Sequence, residues 1–240
     1  MAPQPKVGEA TRVCAFDRAG LAWSQRGPAD KTVEQTVSDL HAILRATEKA
    51  QYVLVGASIG GIFIRAYQRA YSDDVAGLVF TNSSNRVDLR SAFPLPPSAK
   101  GSQPTREGDP FDRLPPDLQQ ICLWLDVRQW QAFDPGKAGP EEILSWRKEF
   151  LKEFEETDGG TRPLGDLPVI VLSSGPSASE SDRQSRNGAA ARLDVLSSNT
   201  LHIIAYGSGH EIHLFQPERV IQAVQQAVGA VRNRTPLSPR

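Results

Sequence analysis

The chain has little cysteine, no excess of either charge and no long apolar run. Its two cysteines, Cys14 and Cys122, are too few for a disulfide framework. Neither has metal-ligand spacing, so both read as buried or inert thiols. Lysine and arginine number 27 against 28 aspartates and glutamates, a formal net charge of −1. That balance, with no basic run interleaved with aromatics, argues against a nucleic-acid surface. No apolar stretch approaches the roughly 20 residues of a membrane-spanning helix. The start, Met-Ala-Pro-Gln-Pro-Lys, has no apolar core of the signal-peptide kind. The expectation is a soluble, cytoplasmic protein.

What is present is an ordinary globular composition: 240 residues, 39% hydrophobic and 23% charged, enough for one domain or one domain with a sizeable insertion. The most informative stretch is YVLVGASIGG at 52–61. A short β-branched apolar run reads as a buried strand. It passes at once into G-x-S-x-G, formed by Gly56, Ser58 and Gly60, and then into a helical pattern. Such a turn must be sharp enough to hold the Ser58 hydroxyl above the strand end, with small neighbours where strand and helix approach. The following helix aims its N-terminal N–H groups at the same spot, which favours a developing anion. Ser58 therefore reads as a nucleophile.

The flanking pattern is that of a parallel sheet. Residues 11–16 (TRVCAF) read as a short strand, and Thr32-x-x-Gln35 fits a capping box ahead of a helix whose apolar face carries Val33, Val37, Leu40 and Leu44. His41 lies on that helix and is given no role. After the elbow come a helix over 62–71, a turn at Asp73-Asp74 and a buried strand at 77–80. Alternation of strand and helix in this rhythm is the βαβ pattern, with helices on both faces of the sheet. Residues 93–116 are proline-rich and read as a long loop. Helices near 117–133 and 140–156 follow, carrying Trp124, Trp130 and Trp146, an apolar helical insertion of the kind that covers a substrate. The sheet resumes at 167–172, a helix is expected near 189–196, and LHIIAY at 201–206 is the last strand. A final helix begins near Pro217, with Val220, Val224, Val228 and Val231 on one face.

A serine hydroxyl needs a base within hydrogen-bond reach, and histidine is the usual one. In an open parallel sheet such groups gather beyond the carboxyl ends of the strands. Ser58 and His210 both stand there in the sequence pattern, each just after a buried strand. His202, inside the last strand, and His213, in the turn after His210, fit less well.

At this point the chain resembles the α/β-hydrolase family. The matching pieces, in the family's order, are DRAGLAWS (17–24), GASIGG (56–61), LVFTNSSN (78–85) and GSGHEIHLFQPE (207–218). The resemblance implies a mostly parallel sheet with flanking helices and a helical lid insertion. The chain divides on this reading into core residues 1–85, a lid at 86–162 and core again at 163–232, and the proline-containing tail at 233–240 is expected to be disordered. It also implies a covalent acyl intermediate on Ser58, His210 as the base, and an oxyanion held partly by the Ile59 N–H. No metal or organic cofactor is implied, and the substrate is expected to be a small, partly apolar molecule.

Two departures from the family pattern stand out. The acidic position after the 78–81 strand holds Asn82, which carries no charge. The loop after the 169–172 strand offers Glu180 and Asp182, of which Asp182 is favoured as the triad acid, with a Ser58–His210 pair supported by Asn82 as the alternative. The family's first three strands have no counterpart, and the loop after the third supplies the second oxyanion donor. The leading expectation is a serine hydrolase of an acyl ester or related bond. Its rivals are a catalytically impaired binding protein of the same fold and an N-terminally truncated fragment.

Overall fold

The computed structural model describes residues 3–19, 23–25, 32–47, 51–83, 164–175, 195–208 and 211–239. The expected lid, all but the last two residues of the helix expected near 189–196, Cys122, Glu180, Asp182 and His210 lie outside them; residues 195–196 form a turn.

Four strands form one sheet in the order β1-β2-β3-β4: β1 Tyr52–Ala57, β2 Val75–Thr81, β3 Val169–Ser174 and β4 Thr200–Ala205. Every pairing is parallel. All seven residues of β2 are buried, as a strand covered on both faces requires. One cover consists of α2 (Val33–Ala46) and α3 (Gly60–Ala70), the other of α1 (Pro3–Gly8) and the last helix. The chain closes with a short helix, α4 (Ile212–Phe215), and the long α5 (Pro217–Asn233).

The start of α2 follows its sequence signal. Thr32 Oγ1 accepts from the Gln35 N–H at 3.0 Å, satisfying an amide that the helix itself leaves unpaired. The return arm of the box is not made, because the Gln35 side chain donates to Asp39 Oδ1 at 2.8 Å. Val33, Val37, Leu40 and Leu44 are all buried against α3 and the sheet. We expect Thr32→Ala to lower stability by about 1 kcal/mol, read as a shift in the denaturant midpoint without a change in m-value. His41 has a packing role. Its ring stacks on Tyr71 at 3.7 Å, and its Nδ1 is 3.1 Å from the Tyr67 hydroxyl. That hydroxyl donates to Asp74 Oδ2 at 3.0 Å, and burial, with Asp74 beside it, raises the Tyr67 pKa above the ordinary tyrosine value.

Four expectations need correction. Residues 11–16 join no strand among the described residues; Val13 is half-buried, whereas Cys14 and Phe16 are exposed. A strand needs a neighbour's backbone to pair with, and among the described residues no strand pairs with this segment. No described strand pairs with the outer side of β1, whose Val55 is 45% exposed. Cys14 is thus an exposed thiol rather than a buried one. The buried seam of α5 is Val220, Ala223, Val224, Ala227 and Ala230, with Val228 and Val231 at its margin. Alanines let that helix lie close to the sheet, which a search for bulky residues overlooks. Finally, the tail is tethered rather than free. The Leu237 N–H donates to Asn199 Oδ1 at 2.8 Å, and Leu237 packs on the α5 side of the core.

Candidate active site

The carboxyl ends of β1 and β2 are tied together around Ser58. Its N–H donates to the Thr81 carbonyl at 3.1 Å, one step past the last register pair, Ala57 with Thr81. Its φ is +51°, a left-handed conformation that residues with a Cβ rarely adopt. The chain then turns directly into α3. The Gly61 N–H donates to the Ser58 carbonyl at 3.1 Å and the Ile62 N–H to the Ile59 carbonyl at 3.0 Å. Ile59 is the residue before α3, so its amide belongs to the group of N-terminal N–H donors that have no carbonyl one turn earlier.

The glycines of the motif are required unequally. A Cβ on Gly56 would lie 2.5 Å from the Gly60 carbonyl oxygen and 2.8 Å from the Gly61 nitrogen, both backbone atoms. A Cβ on Gly61 would run into the Ser83 side chain, with Phe80 Cδ1 3.2 Å away. At Gly60 nothing lies within 4 Å. Ser83 itself closes the elbow from the β2 side, its Oγ donating to the Gly56 carbonyl at 3.0 Å.

Asn82 also has positive φ, +44°, immediately after β2. Its N–H donates to the Leu172 carbonyl at 2.7 Å, and its Oδ1 accepts from Ser174 Oγ at 3.2 Å. The side chain at the expected acid position is therefore engaged with the end of β3. The Gly175 N–H continues the lacing to the Ala205 carbonyl at 2.9 Å. His202 points its Nε2 at Ser173 Oγ, 3.0 Å away, and His213 Nδ1 stands 3.5 Å from Glu211 Oε2. Both have local partners of their own.

Of the residues singled out from sequence, Ser58, Ile59 and Asn82 come together at one end of the sheet. His210 and Asp182 lie outside the described residues; Ser208 and Glu211 flank His210. Sequence reading missed two features. One is the Ser83 clasp, signalled only by a small hydroxyl residue after the β2 strand end. The other is Arg18, whose guanidinium carbon stands 4.7 Å from the centroid of the Phe63 ring, in the first turn of α3. Burial lowers the Arg18 pKa from its ordinary value. Among the described residues, no group of three or more His, Cys, Asp or Glu side chains is arranged to hold a metal. No helix among them is long and apolar enough to cross a membrane.

A parallel sheet flanked by helices, with a left-handed serine between a buried strand and a helix N-terminus, defines the α/β-hydrolase type of fold. The chain belongs to the alpha/beta hydrolase family, whose model matches residues 4–223. It is similar to the uncharacterized protein YqjL of Bacillus subtilis, 23% identical over 225 residues that span 90% of this chain and 75% of that one. A second relative, an uncharacterized protein of Schizosaccharomyces pombe, is 31% identical over 91 residues. That match takes in 37% of this chain but only 17% of the relative's length. Among solved structures, the meta-cleavage product hydrolase CumD of Pseudomonas fluorescens superposes with a TM-score of 0.63 at 15% identity, covering 94% of this chain and 82% of that one.

Proposed function

We propose that this chain is a serine hydrolase that cleaves an ester or related acyl bond through an acyl-enzyme on Ser58. Ser58 Oγ attacks the acyl carbon while His210 takes its proton, and the Ile59 N–H helps hold the oxyanion. The leaving alcohol departs with the proton from His210. Water, deprotonated by the same histidine, then releases the acid and restores the serine. Asp182 is the acid that orients His210, and residues 86–162 form a lid over a small, partly apolar substrate.

The single observation that carries this reading is the +51° φ of Ser58 at the junction of β1 and α3. Strain of this kind costs about 1–3 kcal/mol and persists where the surrounding structure enforces it. Nothing in the packing of β1 asks for a left-handed serine, whereas presenting a hydroxyl above the strand ends does. Asn82 favours a second reading, a binding protein of the same fold, because an amide at that position supplies no charge to an imidazole.

Covalent labelling by a fluorophosphonate, with the adduct located by peptide mass, separates the two. The expected adduct is on Ser58 and is lost in His210→Ala, while Asp182→Asn slows labelling more than Asn82→Ala does. A cooperatively melting chain that takes no label, or takes it elsewhere, removes the hydrolase reading and leaves the binding protein.

A further inference from the structure

Arg18 is a partly buried cation packed on α3, the helix that follows Ser58, and the mechanism above does not use it. Its guanidinium lies over Phe63, a residue of the first turn of α3. Phe63 follows Ile59 by four residues, and helical side chains lean toward the N-terminus, so the ring covers the turn that leads back to Ile59. The guanidinium therefore lies over the side chain that follows, by one helical turn, the residue whose amide is proposed to hold the oxyanion.

Among the described residues no carboxylate lies within ion-pair distance of Arg18. The adjacent Asp17 is exposed and turned to its own loop: its Oδ2 lies 3.5 Å from the Trp23 N–H, and its carbonyl accepts from Ser24 Oγ at 2.6 Å. An arginine stays protonated, and partial burial removes part of its hydration. The π face of Phe63 offsets some of that cost, and among the described residues the planar edge, with its fork of N–H donors, meets no acceptor. A carboxylate matches that fork, and the positive end of α3 adds to the attraction.

We propose that Arg18 is a specificity-determining residue that binds a carboxylate carried by the substrate, making the substrate class an anionic ester. The proposal rests on the Ser58 reading for its chemistry, but not for the binding event. The carboxylate can enter on the acyl chain or on the leaving alcohol.

The test uses the full chain and matched ester pairs. Glutarate mono-p-nitrophenyl ester against p-nitrophenyl pentanoate probes the acyl side. The butyrate ester of p-hydroxybenzoate against phenyl butyrate probes the leaving group. The parent should favour the anionic member of one pair, in kcat/KM, by about tenfold to a hundredfold, and Arg18→Met should erase that preference. Equal rates on both pairs, or a preference that survives in Arg18→Met, overturn the proposal. If Arg18→Met fails to melt cooperatively, Arg18→Lys keeps the charge and loses the fork. It should lower the ratio severalfold, and an unchanged ratio there counts equally against us. A parent that hydrolyses no ester and takes no fluorophosphonate defeats the Ser58 reading alone. Calorimetric binding of glutarate, present in the parent and absent in Arg18→Met, then decides the anion site by itself.

Discussion

Ser58→Ala is expected to lose ester turnover and fluorophosphonate labelling by a factor of about 10⁴ or more, with no loss of stability. The two readouts separate because Ser58 bears on stability mainly through its backbone. Its N–H bond to the Thr81 carbonyl is a main-chain bond that any residue keeps. Its +51° φ is a cost that alanine shares and glycine does not. Ser58→Gly should therefore be equally inactive yet more stable than the parent by about 1 kcal/mol, a rise in melting temperature of about 2–4 °C for a chain of this size. Activity that survives in Ser58→Ala removes the nucleophile. A Ser58→Gly variant that melts below the parent shows instead that the side chain stabilises the turn, and the strain argument fails. The pair of substitutions thus tests the chemistry and its structural rationale independently.

The parts of this architecture that the sequence made legible are those in which one local rule had no competitor. β1 and β2 are short apolar runs rich in valine, β2 buried along its whole length and β1 only in part, and both are observed within two residues of the expected limits. Thr32 caps α2 as its spacing predicts, and the four apolar residues of that helix are the ones buried. The elbow was visible because its glycines, its serine and its flanking elements occur in one continuous stretch. Features that depend on distant partners were not visible. Residues 11–16 have the composition of a strand, but composition does not supply the neighbour that pairing requires. The alanine seam of α5 reflects how closely a helix approaches the sheet, a tertiary quantity. The tether of Leu237 to Asn199 joins residues 38 apart, and the contact between Arg18 and Phe63 likewise crosses a long separation. Asn82 is the mixed case. Its position after β2 was readable, but the engagement of its Oδ1 with Ser174 comes from a strand about ninety residues away. That contact bears directly on how an amide there would serve a histidine, since Ser174 takes one of the two lone pairs of its Oδ1.

Gly56→Ala and Gly60→Ala give the sharpest contrast within the elbow, since the motif treats both glycines alike and the structure does not. A methyl group at Gly56 meets the Gly60 carbonyl carbon at 2.6 Å and its oxygen at 2.5 Å, so backbone must move because no flexible side chain is there to yield. Forcing a carbon into packed structure costs about 1–3 kcal/mol. At about 2–4 °C per kcal/mol, the melting temperature should fall by several degrees. The atoms displaced are the first turn of α3, which carries the Ile59 amide, and a misplacement of about 1 Å there is worth roughly 10² in rate. Labelling of Gly56→Ala should therefore slow about a hundredfold even at temperatures where the variant is fully folded. Gly60→Ala adds its methyl group to open space at the start of a helix, where alanine is the better residue by up to about 1 kcal/mol. Its melting temperature should equal or exceed the parent's. Equal melting curves for the two variants would mean that the close approach of β1 and α3 at Gly56 can relax without cost. The second glycine of the motif is then retained for the space above it rather than for the turn. In that case a turnover defect confined to Gly60→Ala would mark this open space as part of the substrate's path to Ser58.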